Sequence, residues 1–270
     1  MAVTLWRARA SGTSLVAGLS GVDEPACARR RKCPLIIQPK WAQMTRVDHI
    51  QTDPKDRIRR VKQIIYGLAL VSFPIMLLAG FLMHPDLLSF TIVTTADQLA
   101  SNFRRSTMFH VGHLIVALSV PLIVAALLCL MERLKGAGAW YGFIGGITGI
   151  LGAVVLAIDK GALCLVLSAF DTLNDAQFAD LVPHLQVIVD KAGLLWVVWL
   201  LPLLPIGAAV QVVGLIKERQ VPIWRGVGMI TGLLLLNNPD IELISSFGAV
   251  LMAFGYVPLG IRVLAEARSA

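Results

Sequence analysis

Between Ser106 and Met131 the chain runs through twenty-six residues without one Asp, Glu, Lys or Arg. A helix of about 20 mostly apolar residues spans the roughly 30 Å of hydrocarbon in a bilayer. In lipid the backbone must satisfy its own hydrogen bonds, which leaves helices and closed barrels as the only spanning structures. Comparable apolar runs lie at about 63–83, 139–160, 190–216, 223–237 and 242–264, and none has the ten-residue alternation of a membrane barrel. The chain is therefore expected to be all-α: a polytopic membrane helical bundle of about six transmembrane helices, with the lipid bilayer as its partner. Composition points the same way, with 56% hydrophobic and only 15% charged residues and a mean hydropathy of +0.73.

The distribution of Lys and Arg sets the direction of threading. Lys55, Arg57, Arg59, Arg60 and Lys62 crowd against the first apolar run, which places that end in the cytoplasm. With six spans, the loops on that side collect twelve basic residues, and those on the other side only Arg104, Arg105, Lys160 and Lys191. Both termini are then cytoplasmic. Residues 44–62 form a polar and basic segment, and residues 1–43 read as a disordered basic tail or as sequence upstream of a true start at Met44; their Arg-rich, acid-poor bias also fits a transit peptide. This tail carries seven basic residues against two acidic ones and so accounts for most of the formal charge of +7. The body of the chain is nearly neutral, and no nucleic-acid partner is expected. Cys129 and Cys164 fall in apolar runs, while Cys27 and Cys33 match no zinc-binding spacing.

On this topology His84, His110, His113 and His184 lie on the outer side and His49 alone on the cytoplasmic side. The candidate site is a polar outer-face layer made of His84, His110, His113, Asp159, Lys160, His184, Asp190, Lys191, Asn237 and Asp240. His110 and His113, three residues apart, share a helix face. With a carboxylate such as Asp159 or Asp240 they could ligate a transition metal; ordinary interfacial histidines that hydrogen-bond nearby loops have the same spacing, and that is the preferred reading. A bis-histidine haem would need His84 or His184 as its second ligand, because the later helices carry no histidine in their membrane cores. No cofactor is expected, and no nucleophile elbow, phosphate loop or dinucleotide fingerprint is present.

Asp159/Lys160 and Asp190/Lys191 flank the polar turn DTLNDAQ symmetrically. A continuous antiparallel hairpin would set them at one height, pair Asp159 with Lys191 and Lys160 with Asp190, and carry each arm about ten residues past the membrane. Behind the interfacial Trp140 and Tyr141, Gly142 with Gly146 and Gly145 with Gly149 form overlapping GxxxG steps, which let another helix approach closely. The Gly142/Gly146 face is thus the candidate contact for a homo-oligomer or a membrane-protein partner. Trp196, Trp199, Pro202 and Pro205 are expected to line a cavity or to pack on the glycine face. The NNPD turn at 237–240 should face the bundle, since lipid cannot satisfy its backbone.

The passage LLWVVWLLPLLPIGAAVQVVGLIKERQVPIWRGVGMITG at 194–232, with SAFDTLNDAQ before it, resembles a widespread bacterial family of six-helix membrane proteins known only as a domain of unknown function. The resemblance covers residues about 60 to 264 at the level of layout. The HVGH pair and the 43-residue tail fall outside it, so it supplies no site residue. It implies a multi-pass protein of the bacterial plasma (inner) membrane without an established activity. The expectation is a non-enzymatic bundle, accessory or small-molecule-handling. The alternative is an outer-facing metal- or haem-dependent enzyme or electron carrier using His110 and His113.

Overall fold

Pro54 opens the first helix, α1 (Pro54–Leu82), at the position where a missing N–H costs nothing. α1 starts well before residue 63 because the basic run PKDRIRRVK consists largely of good helix formers. It belongs to a computed structural model that describes residues 54–238 and 241–269, apart from the side chains of 162–164. The expectations for the tail, for Cys27, Cys33 and His49, and for Asp240 fall outside the described residues.

The connection after α1 contains a short helix, α2 (Ala96–Phe103), fixed by a reciprocal capping box between Thr95 and Gln98. α3 (Thr107–Arg133) begins at Ser106, whose side chain accepts from the Phe109 amide. α4 (Ala139–Ala157) passes through a π-helical turn at Ile158–Ala162 into α5 (Leu163–Phe170). Asn174 and Gln177 form a second capping box for α6 (Asp175–Leu181). A 3-10 turn at Val182–Leu185, α7 (Gln186–Val189) and a 3-10 stretch at Gly193–Leu200 lead to α8 (Leu203–Lys217). α9 (Ile223–Leu235) and α10 (Glu242–Ser269) complete the described chain.

Among the described residues, five segments are long and apolar enough to cross a membrane: α1, α3, the rod Gly136–Phe170, Gly193–Lys217, and α10. α9 is shorter, with 13 residues, or about 20 Å at 1.5 Å per residue. These six segments pack as neighbours in the order α1, α3, α4, α8, α9, α10, and α10 returns to α1. The result is an up-and-down ring.

Each seam of the ring is made at glycine. A Cβ added to Gly80 would stand 3.0 Å from the Gly112 carbonyl, joining α1 to α3, and one on Gly67 would stand 3.0 Å from the Gly260 carbonyl, joining α1 to α10. Gly145 and Gly207 meet between α4 and α8 at 2.5 Å by the same measure, and Gly232 and Gly248 between α9 and α10 at 2.6 Å. Leu134, which caps α3, and Met131 within it fill the places of the missing side chains on Gly142 and Gly146, and Ile216 of α8 does so on Gly226. The Gly142/Gly146 face is therefore covered within the chain. Trp196 and Trp199 turn outward, 54% and 71% exposed, instead of packing on that face. Gly207, Ala208 and Leu204 meet its neighbours Gly145, Gly149 and Gly152.

Inside the ring, Gln211 is fully buried and its amide nitrogen donates to the Leu127 and Gly142 carbonyls, each at 3.1 Å. Outside it, Leu118, Phe143, Leu151, Phe247 and Phe254 are exposed, an apolar girdle suited to lipid.

The expected hairpin is corrected in its second arm. The rod from α4 to α5 does run on to Phe170, but Pro183 begins a 3-10 turn, and the chain breaks again at Lys191, which has a φ of 52°. Asp159 pairs with its neighbour Lys160 at 3.2 Å, and Asp190 accepts from Gln186 at 2.8 Å. Neither crosswise pair occurs among the described residues. A π-helical turn lets adjacent charges share one opening, and a broken arm has no common register to hold them across. The overhanging α5 instead builds a small second core in which Phe103 and Ala100 of α2, Leu167, Phe178, Leu185 and Phe109 are buried.

Gly207→Leu is expected to destabilise the purified protein by more than the roughly 1–3 kcal/mol of ordinary overpacking, because its neighbours are backbone atoms of α4. Gly228→Ala, where nothing lies within 4 Å, should leave the thermal unfolding temperature in detergent unchanged or slightly raised.

Candidate functional site

α1 ends and α10 begins at the same end of the ring as the start of α3, so His84, Glu242 and His113 converge from segments far apart in the chain. His84 Nε2 lies 3.8 Å from Glu242 Oε1, and the His84 and His113 rings are 5.8 Å apart. Phe109 contacts both, at 5.4 Å and 4.1 Å between centroids. His113 Nδ1 lies 2.8 Å from the Phe109 carbonyl. A carbonyl only accepts, so Nδ1 carries the proton, and in the neutral ring Nε2 keeps its lone pair. Lys160 and Asp159 lie within electrostatic reach of the same imidazole. A π-helical turn, a feature common at functional sites, presents both.

Beside this group the ring holds a cavity of about 90 Å³. Its walls are apolar, with Leu77, Phe81, Val116, Leu156 and Leu204, and its polar lining comes from Lys160, Asn237, Asn238, Glu242 and Ser245. Asn238 is held in place: its amide donates to the Leu235 carbonyl at 2.7 Å and to Ser245 Oγ at 2.8 Å, while its oxygen accepts from the Ile241 amide at 2.5 Å. Asn238 thus turns toward the bundle, as the cost of unsatisfied polar groups in lipid requires, while Asn237 is exposed at the cavity rim and residues 239–240 of the turn lie outside the described residues. Below lies an apolar chamber of about 20 Å³ that shares Leu77, Leu204 and Leu236 with the first. Phe73 and Tyr256 bound it, edge to face at 5.0 Å.

His110 belongs to a different group. Its Nε2 lies 3.4 Å from Asp171 Oδ2, and its ring abuts Phe103 and Phe109. Asp171 also accepts from the Arg105 amide at 2.7 Å. Arg104 donates to the carbonyls of Asp171 and Leu173 at 3.0 and 2.8 Å and to Asp175 at 3.0 Å. Its guanidinium lies over Phe178, 4.1 Å from the ring centroid. This is a lock between α2, α5 and α6 that ties the small second core to α3. His110 and His113 share a stretch of helix but turn to different neighbours.

Of the remaining candidates, His184 and Asp190 are exposed on the descending arm and Lys191 is half-buried there. The structure brings together His84, His113, Asp159, Lys160 and Asn237, and it leaves His110, His184, Asp190 and Lys191 outside the cavity. Glu242 closes the polar turn that the sequence already placed in the outer layer, whereas Ser245 and the Arg104 lock were missed by reasoning from sequence. The available signal for Ser245 was its place three residues after Glu242 at the start of the last helix. Arg104 offered none beyond its charge. The described residues hold no group of three or more His, Cys, Asp or Glu positioned to share a metal ion. No protein-family model, curated protein or solved structure matches the chain.

Arg104→Ala is expected to loosen the second core by about 2–3 kcal/mol, the scale of hydrogen bonds to a charged group left without a partner. Proteolytic cleavage within residues 171–189 should become faster while the ring remains protected. Arg104 first and Arg105 after it hold the Asp175 carboxyl below its ordinary value. A depressed carboxyl stabilises the fold above the unfolded-state value, about 3.9 for Asp, and loses that contribution as pH falls through its folded value. The wild type should therefore exceed Asp175→Asn in resistance to cleavage at neutral pH, and the two should converge in strong acid.

Proposed function

We propose that this protein is a non-enzymatic multi-pass bundle of the bacterial plasma membrane that binds a small zwitterionic amphiphile at the mouth of its ring. The observation that carries this reading is the lining of the 90 Å³ cavity, where Lys160 and Glu242 stand with Asn237 and Ser245 above an apolar floor. Such a space corresponds to about three waters at roughly 30 Å³ each, so it suits a charged head and a tail of a few carbons. A ligand that leaves water with both signs of charge must meet both signs on the protein, and the rim presents them in Lys160 and Glu242.

The excess of Lys and Arg at the opposite end supports a cytoplasmic placement of that end, so that the cavity opens outward. α9 then serves as a thinned sixth span, its short length accommodated by local thinning of the bilayer. The reading also draws on the resemblance to the six-helix bacterial family, for which no activity is established.

The test is thermal unfolding of the detergent-purified protein with 2-aminobutanoate, butanoate or butylammonium. At a hundredfold excess over its dissociation constant a ligand adds about 2.7 kcal/mol, on the order of 5–10 °C for a chain of this size. 2-Aminobutanoate is expected to give the largest rise, and Lys160→Met or Ser245→Leu to abolish it. Equal effects of the three compounds, or a rise that survives Ser245→Leu, would contradict the assignment.

A further inference from the structure

The other end of the ring carries a second built feature. A cleft of about 480 Å³ between α1, α3 and α10 is lined by Lys55, Arg59, Lys62, Arg133, Lys135 and Glu132. Its origin is visible on α1, where Lys55, Arg59 and Lys62 recur at helical spacing and form one stripe. Ile58, Val61 and Ile65 form a second stripe beside it and line an apolar groove of about 580 Å³. The two spaces share Ile58, Lys62 and Tyr66. They adjoin along that line, a basic part beside an apolar part.

Part of the charge is already matched. Lys62 pairs with Glu132 at 2.6 Å, and Arg133 holds Glu266 through two bonds of 2.8 and 3.1 Å. Arg59 and Lys135 form no ion pair among the described residues. Leaving Lys55 aside, Arg59, Lys62, Arg133 and Lys135 face the two carboxylates of Glu132 and Glu266 among the described residues, and the excess is positive. A phosphodiester supplies one negative charge and oxygens suited to guanidinium and ammonium donors. Free phosphate would meet only the basic part. The groove along Ile58, Val61 and Ile65 has a counterpart in an acyl chain, and basic pockets between helices at the cytoplasmic face are where anionic headgroups bind.

We propose that this end holds one anionic phospholipid, with its phosphate in the basic cleft against Arg59 and Lys135 and an acyl chain along Ile58, Val61 and Ile65. The site is independent of the cavity at the histidine end.

The full chain, delipidated in neutral detergent, would be titrated with phosphatidylglycerol, with phosphatidylcholine of the same acyl chains, and with sodium phosphate at matched ionic strength. Unfolding temperature and the lipid adducts retained in native mass spectrometry would both be read. Phosphatidylglycerol alone should stabilise the protein and leave one retained adduct. Arg59→Gln/Lys135→Gln should bind it about 30-fold more weakly, the effect of two basic contacts. The charge-matched Arg60→Gln/Arg268→Gln, outside the cleft, should bind like the wild type. Comparable ligand-free unfolding temperatures show that both double variants fold; if the cleft variant does not, Ile58→Ser/Ile65→Ser replaces it and should likewise lose the adduct. Equal stabilisation by phosphatidylcholine, an equal effect of sodium phosphate, or equal binding by the cleft and control variants would overturn the proposal.

Discussion

Two helix backbones come into contact only where side chains are absent, and four of the six seams of this ring are made at such a place, while at the other two a neighbouring side chain fills the space over a glycine. Within lipid no hydrophobic force draws helices together, so close packing and interhelical hydrogen bonds must do so. The reciprocal pairs Gly80 with Gly112, Gly67 with Gly260, Gly145 with Gly207 and Gly232 with Gly248 supply the first. Gln211 supplies the second by bonding α8 to both α3 and α4. Since α1 closes against α10, the ring has no free edge helix. Each member has two neighbours.

Closure of this kind has consequences at both ends. At one end it brings His84, at the end of α1, beside Glu242, at the start of α10, and the π-helical turn after α4 adds Lys160 to the same opening. The cavity is amphipathic because its walls come from mid-helix leucines while its rim comes from helix ends and one polar turn. At the other end the short turns are bound to one another. Glu218 accepts from the amides of Lys135 and Gly138 at 2.8 and 3.0 Å, Gln220 donates to the Arg133 carbonyl at 3.1 Å, and Arg262 donates to the Gln220 carbonyl at 2.9 Å. This network fixes the turns while leaving the flank of α1 open toward lipid.

The helical membrane class and the positions of the long apolar segments were legible because hydropathy over about 20 residues is a strong signal. The GxxxG steps at 142–149 announced close packing, but periodicity does not say which helix answers, and the answer was α3 and α8 of the same chain. The outer polar layer was legible as composition and not as geometry. Spacing of three put His110 and His113 on one face, yet Phe109 between them divides the region, with His113 toward α1 and His110 toward Asp171. The symmetric Asp-Lys pairs suggested a hairpin register that Pro183 and the left-handed Lys191 break. Gln211, a lone amide in an apolar helix, was readable in principle as an interhelical bond. The second core around Phe103 and Phe178 was not, since its members come from four short elements and the first turn of α3, with no long period.

The central claim is that the ring closes over an apolar floor and opens a polar cavity at the histidine end, away from the cytoplasm. Labelling of single cysteines in intact cells by a membrane-impermeant maleimide, in a background with Cys27, Cys33, Cys129 and Cys164 replaced by Ala, measures this directly. Asn237→Cys, on the cavity rim, should react in intact cells, and Met252→Cys, in the wall of the chamber below, should not. Labelling of Met252→Cys at the same rate, or labelling of Asn237→Cys only after permeabilisation, would contradict the account.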